Sequence, residues 1–110
     1  MAGNLGLLIV RQGELATAQG NLPEAQRLFG EALRIRQRLA ESDPANAAWQ
    51  RDLWVCYWRI ADVLERSQSP QAMAYWRKAY HTLAGMMSAG LFVSPQDQQF
   101  LESLRAKVKE

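Results

Sequence analysis

Residues 44–66, PANAAWQRDLWVCYWRIADVLER, limit what this chain can become more than any other stretch. Read as one long helix, they place Leu53, Cys56, Ile60 and Val63 in one apolar stripe, with Tyr57, Ala61 and Leu64 in a second beside it. A helix on the surface of a globule carries a single stripe, so an arc this wide demands neighbours on both sides. The remaining chain must supply them, upstream and downstream.

It is punctuated to do so. Each of the four prolines falls where a helix would begin. Asn21 stands two residues before Pro23, and Asp43-Pro44, Ser69-Pro70 and Ser94-Pro95 put a capping side chain directly before proline. Proline suits a first helical turn because the N–H it lacks has no partner there, and Asn, Asp and Ser accept from the free N–H groups that follow. Ser94 and Asp97 have capping-box spacing, with Asp in place of Glu. Gly20 and Gly90 stand where helices would stop. The reading is five helices, over about 5–18, 23–41, 44–66, 70–88 and 95–108, with no alternating β pattern and no hairpin turn. The second helix has its stripe at Ala25, Leu28, Phe29, Ala32, Leu33, Ile35 and Leu39. The fourth buries Ala72, Trp76, Ala79, Leu83 and Met86 or Met87, and the fifth Phe100, Leu101, Leu104 and Val108. Links of three to six residues force consecutive helices to pack antiparallel, which makes an all-α array in one domain.

Composition excludes more than it specifies. An apolar share of 48 % argues against disorder. The 13 basic and 11 acidic residues are interspersed, as on a solvated helical surface. The dense basic run, Arg34, Arg36 and Arg38, has i, i+2, i+4 spacing that does not put all three on one helix face, so nucleic acid is not an expected partner. Cys56 is the single cysteine, which rules out an internal disulfide and leaves too few ligands for a metal cage. It reads as a small buried hydrophobe. The N-terminal MAGNLGLLIV lacks a leading charge and falls well short of the roughly 20 apolar residues of a membrane span. A reduced, cytoplasmic setting is expected, with no membrane and no metal. His81 has no Cys, Asp or Glu at i±4, no nucleophile motif is present, and GNLG is not a phosphate loop, so neither catalysis nor a cofactor is expected.

The chain repeats itself. Ala25, Phe29 and Ala32 recur 47 residues on as Ala72, Trp76 and Ala79, and Gly13 recurs 48 residues on as Ala61. Small residues at these places let two helix backbones approach, and the large ring fills the wedge between units. In these residues the chain resembles the tetratricopeptide repeat (TPR): a small residue late in the first helix, then Ala, an aromatic and a second Ala in the next. The long second helices, with the segment EALRIRQRLAESDPANAAWQRDL, resemble the extended repeats of kinesin light chains and of many bacterial proteins. Gln12 and Ala16 depart from the family, which prefers Leu and a large residue there. The resemblance implies a right-handed solenoid of helical hairpins, with unit 1 at about 5–41, unit 2 at about 44–88 and a solvating cap at about 95–108.

The family presents its first helices on a concave groove that binds a peptide or protein. Carried over, the groove positions are Leu7, Val10, Glu14 and Thr17 from the first helix and Val55, Trp58, Asp62, Glu65 and Arg66 from the third. Val55 and Trp58 form an apolar pair among charges, and Trp58 is the expected hot spot unless a neighbouring helix covers it. The chaperone-binding members hold a carboxylate with Lys and Asn at places filled here by Val10, Glu14, Trp58 and Asp62. A basic or apolar ligand is therefore expected. The alternative is a structural, self-associating piece. Leu5, Leu7, Leu8, Ile9 and Val10 crowd the first helix, whereas the end of a solenoid should be polar. A homodimer through that helix, or membership of a longer array, would cover them. An amphipathic membrane-surface role is disfavoured by the absence of Lys there.

Overall fold

The structure, a computed structural model, describes the backbone of residues 2–109 and the side chains of residues 5–109. Five helices account for most of it: α1 (Ala2–Ala18), α2 (Leu22–Ser42), α3 (Ala47–Arg66), α4 (Ala72–Ser88) and α5 (Pro95–Val108). No strand occurs among the described residues. The extensive contacts join helices adjacent in sequence, α1 with α2, α2 with α3, α3 with α4 and α4 with α5. The fold is therefore all-α, and it measures 38 × 38 × 21 Å, about two helix diameters thick.

The sequence sets most of the helix ends. Asn21 Oδ1 accepts from Glu24 N at 3.4 Å, and Ser94 Oγ accepts from Asp97 N at 3.1 Å with Pro95 at the first helical position. Gly20 and Gly90, both at φ +77°, close α1 and α4. Asn21 N reaches back to Ala16 O, and Leu91 N to Met86 O. Gln68 performs the same turn after α3 at φ 59°, with Ser69 N donating to Leu64 O.

Two starts differ from expectation. Pro44 and Pro70 are not at first helical positions. Each sits second in a tight turn, closed by Asn46 N to Asp43 O at 3.0 Å and by Ala72 N to Ser69 O at 3.2 Å. Proline's fixed φ fits the second place of such a turn as well as it fits a helix start, and Asp or Ser favours the place before it. Asn46 then caps α3, its Oδ1 accepting from Trp49 N at 3.0 Å. Gln71 precedes α4 without a side-chain cap.

The core follows the two stripes of α3. Cys56, Tyr57, Ile60, Ala61, Val63 and Leu64 are all buried, and Leu53 is half-buried. Ala25, Ala32, Ala61 and Ala79 are fully enclosed. At Gly13 a Cβ would lie 2.7 to 2.9 Å from three atoms of the Phe29 ring, so α1 and α2 meet at a distance only glycine permits. Phe29 is itself 1 % exposed, and burying a side chain of that size contributes about 2–3 kcal/mol. Of the two methionines considered for the core of α4, Met86 is inside and Met87 outside.

Two charged residues are buried, and neither was expected. Arg36 lies between Ala32 and Ala40 on the inner face of α2, where its Nη1 donates to Asp52 O at 2.9 Å. Asp97 does more than begin α5. Its carboxylate accepts from Arg51 Nε at 2.7 Å and Nη2 at 3.2 Å, joining α5 to α3.

Candidate functional site: two clefts beside the central helix

α1, α3 and α5 share one face of the slab, and clefts open on either side of α3. The first lies between α1 and α3 and is lined by Glu14, Thr17, Ala18, Phe29, Arg59, Asp62, Val63 and Arg66. The second lies between α3 and α5. It has a volume of about 410 Å³ and is lined by Arg51, Trp54, Val55, Trp58, Arg59, Gln96, Asp97 and Phe100.

Arg59 divides the two. Its guanidinium carbon sits 4.3 Å from the centroid of the Trp58 ring, and it pairs across the helix gap with Glu14. The pair ties α1 to α3, and the cation–π contact with the indole helps to hold the guanidinium in place. The Arg59 Nε is buried with no hydrogen-bond partner among the described residues.

The second cleft is aromatic. Phe100 from α5 stacks on Trp54 at 5.4 Å and meets Trp58 edge-on at 5.2 Å. Such geometries add about 0.5–1.5 kcal/mol each beyond burial. Trp54 is in the core and Trp58 is half-buried, with Phe100 against it and the Arg59 guanidinium over its ring, and its remaining exposed part lines the cleft. The indole N–H of Trp54 is buried with no partner among the described residues.

The residues expected to form a groove divide into three groups. Glu14, Thr17, Asp62 and Arg66 are brought together in the first cleft, and Val55 and Trp58 face the second. Three are placed otherwise. Val10 is only 4 % exposed and packs in the core. Glu65 is a clasp: it accepts from Trp76 Nε1 of α4 at 2.8 Å and pairs with Lys107 of α5 at 3.0 Å. The Lys107 ammonium and the Trp76 hydrogen bond hold the Glu65 carboxyl below its ordinary range. Leu7 is exposed and lines neither cleft.

Arg51, Arg59 and Phe100 are cleft residues that sequence reasoning did not select. Phe100 carried one signal, since it sits beside Leu101 at the edge of an amphipathic stripe where a large ring overhangs the neighbouring helix.

Each acidic group lining the two clefts has an internal cation, and so does Glu65. Glu14 pairs with Arg59, Asp62 with Arg66 at 3.0 Å, Glu65 with Lys107 and Asp97 with Arg51. The acids that line the clefts are therefore charge-compensated within the chain. Cys56 stands apart from both. It is fully buried, its thiol donates to Phe29 O at 3.4 Å, and burial pushes its pKa up to about 12, so it is not a thiolate at neutral pH. Among the described residues no group of three or more His, Cys, Asp or Glu is placed to hold a metal, and no helix is long and apolar enough to cross a membrane.

Fold and clefts together define an all-α protein of successive helix pairs with an aromatic-lined face. Comparison with protein-family models, with curated proteins and with solved structures gives no match.

Proposed function

We propose that the chain is a TPR-like, right-handed solenoid of two helical hairpins and a capping helix, acting as a non-catalytic, cytoplasmic protein–protein interaction module. The partner is a peptide or protein segment carrying one large aromatic or aliphatic anchor, seated between Val55, Trp58 and Phe100. The observation that carries this reading is the half-buried Trp58, backed by Phe100 and Arg59 but open toward an aromatic cleft. Trp and Arg dominate interface energetics, and a rigid indole already held in place loses little entropy on binding. The repeat supports it too, because Gly13/Ala61 and Phe29/Trp76 recur at the spacing of the family whose first helices line such a face.

The test is to select peptides from a random display library and map the tightest by backbone amide shifts. Support is a ligand with an aromatic or bulky aliphatic anchor that shifts α3 and α5 around Val55, Trp58 and Phe100. Trp58→Ala should abolish its binding while the chain still folds, its melting temperature lowered only by the loss of the Phe100 and Arg59 contacts. Shifts confined to α2 and α4, or a Trp58→Ala chain that binds normally, would defeat the proposal.

A further inference from the structure

The internal repeat makes a comparison within the molecule possible. At the offset of 48 that relates Gly13 to Ala61, Leu8 corresponds to Cys56, Gln12 to Ile60 and Leu15 to Val63. In α3 those three residues are 0, 4 and 1 % exposed. In α1 Leu8 is 58 % and Leu15 60 % exposed, and Leu5, one turn before Leu8, is 52 % exposed. The same helical stripe is thus interior in one unit and open in the other. Ile35 of α2 is half-buried and lines a shallow cleft shared with Ile9, which widens the apolar flank across both helices.

We infer that this flank is an isologous dimer interface, covered by the same flank of a second copy about a two-fold axis. Two observations choose that occupant. First, the opposite end of the molecule offers no comparable stripe: its exposed large apolar side chains are Met87 at the end of α4 and Phe92 in the link to α5. α5 turns outward Gln98, Gln99, Glu102, Ser103 and Arg105, a polar surface that would leave the leucines of a head-to-tail neighbour unmatched. Second, the charges beside the apolar stripe are self-complementary. Arg34 and Arg38 make no ion pair among the described residues, and Glu31 is held only by Arg27 at 3.3 Å on an exposed surface. Glu31 precedes Ile35 by four residues and Arg38 follows it by three. Where α2 crosses its own mate antiparallel near Ile35, Glu31 of each copy comes opposite Arg38 of the other. A two-fold operator produces that contact twice, and an apolar stripe ringed by it closes without leaving a further face to polymerise.

The experiment is sedimentation and light scattering on the full 110-residue chain over a hundredfold range of concentration. The expected mass is twice 12.5 kDa, falling to 12.5 kDa on dilution. Leu8→Glu and Leu15→Glu each place a charge on the open stripe, which should hold the mass at 12.5 kDa at every concentration while the monomer keeps its helical circular dichroism. Glu31→Arg and Arg38→Glu should each raise the concentration of half-dissociation, and the two together should bring it back toward the original value. A monomer throughout the range, a mass that grows without limit, or a dimer indifferent to Leu8→Glu and Leu15→Glu would each overturn the inference. Single charge reversals that weaken the dimer without mutual rescue would overturn the antiparallel register.

Discussion

Gly13→Ala should destabilise the protein, although the same exchange in mid-helix normally does the opposite. Alanine exceeds glycine in helix propensity by about 1 kcal/mol, and that gain is available at any unhindered helical position. At Gly13 the new Cβ would lie 2.7, 2.9 and 2.9 Å from Cε1, Cδ1 and Cζ of Phe29, where carbon atoms rest at about 3.5–4.0 Å. The obstacle is a rigid ring, 1 % exposed and packed on all sides, so relief requires α1 to back away from α2. Overpacking costs about 1–3 kcal/mol, and three simultaneous conflicts put this case in the upper half. The propensity gain offsets part of it, leaving a net loss of about 1–2 kcal/mol. Gly30 in α2 is the internal control, because nothing lies within 4 Å of its ideal Cβ. Gly30→Ala should stabilise by about 1 kcal/mol. Urea unfolding followed by circular dichroism reads both, and a double-mutant cycle with Phe29→Leu should show the Gly13→Ala penalty shrinking once the ring is gone. If Gly13→Ala is as stabilising as Gly30→Ala, the close approach of α1 and α2 is wrong, and so is the role given to the small residue of the repeat.

Three further outcomes can be checked. Gln68 holds a left-handed conformation at φ 59° that costs a side-chain-bearing residue about 1 kcal/mol, so Gln68→Gly should raise the unfolding free energy by about 0.5–1 kcal/mol; an unchanged midpoint in denaturant would refute it. Cys56, with its thiol at about pKa 12 and fully enclosed, should resist iodoacetamide in native buffer and react in denaturant, and alkylation of the folded chain at the rate of a free thiol would contradict the burial of α3. Glu65 has a folded pKa below its ordinary 4.5, so its clasp stabilises above that value and the contribution disappears as pH falls through the lowered one. The melting temperature of Glu65→Gln should accordingly lie below the parent at neutral pH and converge with it in acid, the effect being small because the carboxylate is more than half exposed; parallel pH curves for the two chains would refute it.

What the sequence conveyed well was whatever is decided within a few residues. The caps at Asn21 and Ser94, the left-handed stops at Gly20 and Gly90 and the stripes of α3 and the first half of α2 are local choices and stand nearly as read, whereas Leu33, Ile35, Leu39 and Leu53 are only half-buried. Pro44 and Pro70 were misplaced because Asp-Pro and Ser-Pro suit a tight turn as well as a helix start, and only the path of the chain between two packed helices decides between them. Arg36 and Asp97 escaped notice for a different reason. A charged residue on an apolar stripe is tolerable only with a partner, and the partners lie at Asp52 O, 16 residues away, and at Arg51, 46 residues away. Of the expected groove, Glu14, Thr17, Asp62 and Arg66 converge because helical periodicity alone puts them on one face. Val10 and Glu65 share that periodicity, but Val10 turns into the core and Glu65 toward Trp76 and Lys107, outcomes set by the rotation of α1 and the placement of α5.

The arrangement of charges on the first-helix face bears on how selectivity could arise there. A groove that recognises a carboxylate or an ammonium must leave the opposite charge available to it. Here Arg51, Arg59, Arg66 and Lys107 are each engaged with an acid of the same chain, and two of those pairs, Arg51–Asp97 and Lys107–Glu65, fasten α5 to α3. The cations thus fix the positions of helices, and breaking one to capture a charged ligand would loosen the wall of the cleft that must hold it. An exposed pair such as Lys107–Glu65 contributes little free energy singly, about 0–1 kcal/mol, while Arg51–Asp97 has a buried carboxylate that depends on its partner, and together they set the gap between α3 and α5. What fills that gap is Trp58, Val55 and Phe100, whose contacts depend on shape and not on charge. On the proposed function, discrimination among partners on this face would rest on the fit of an apolar side chain between rings that the ion pairs hold in place.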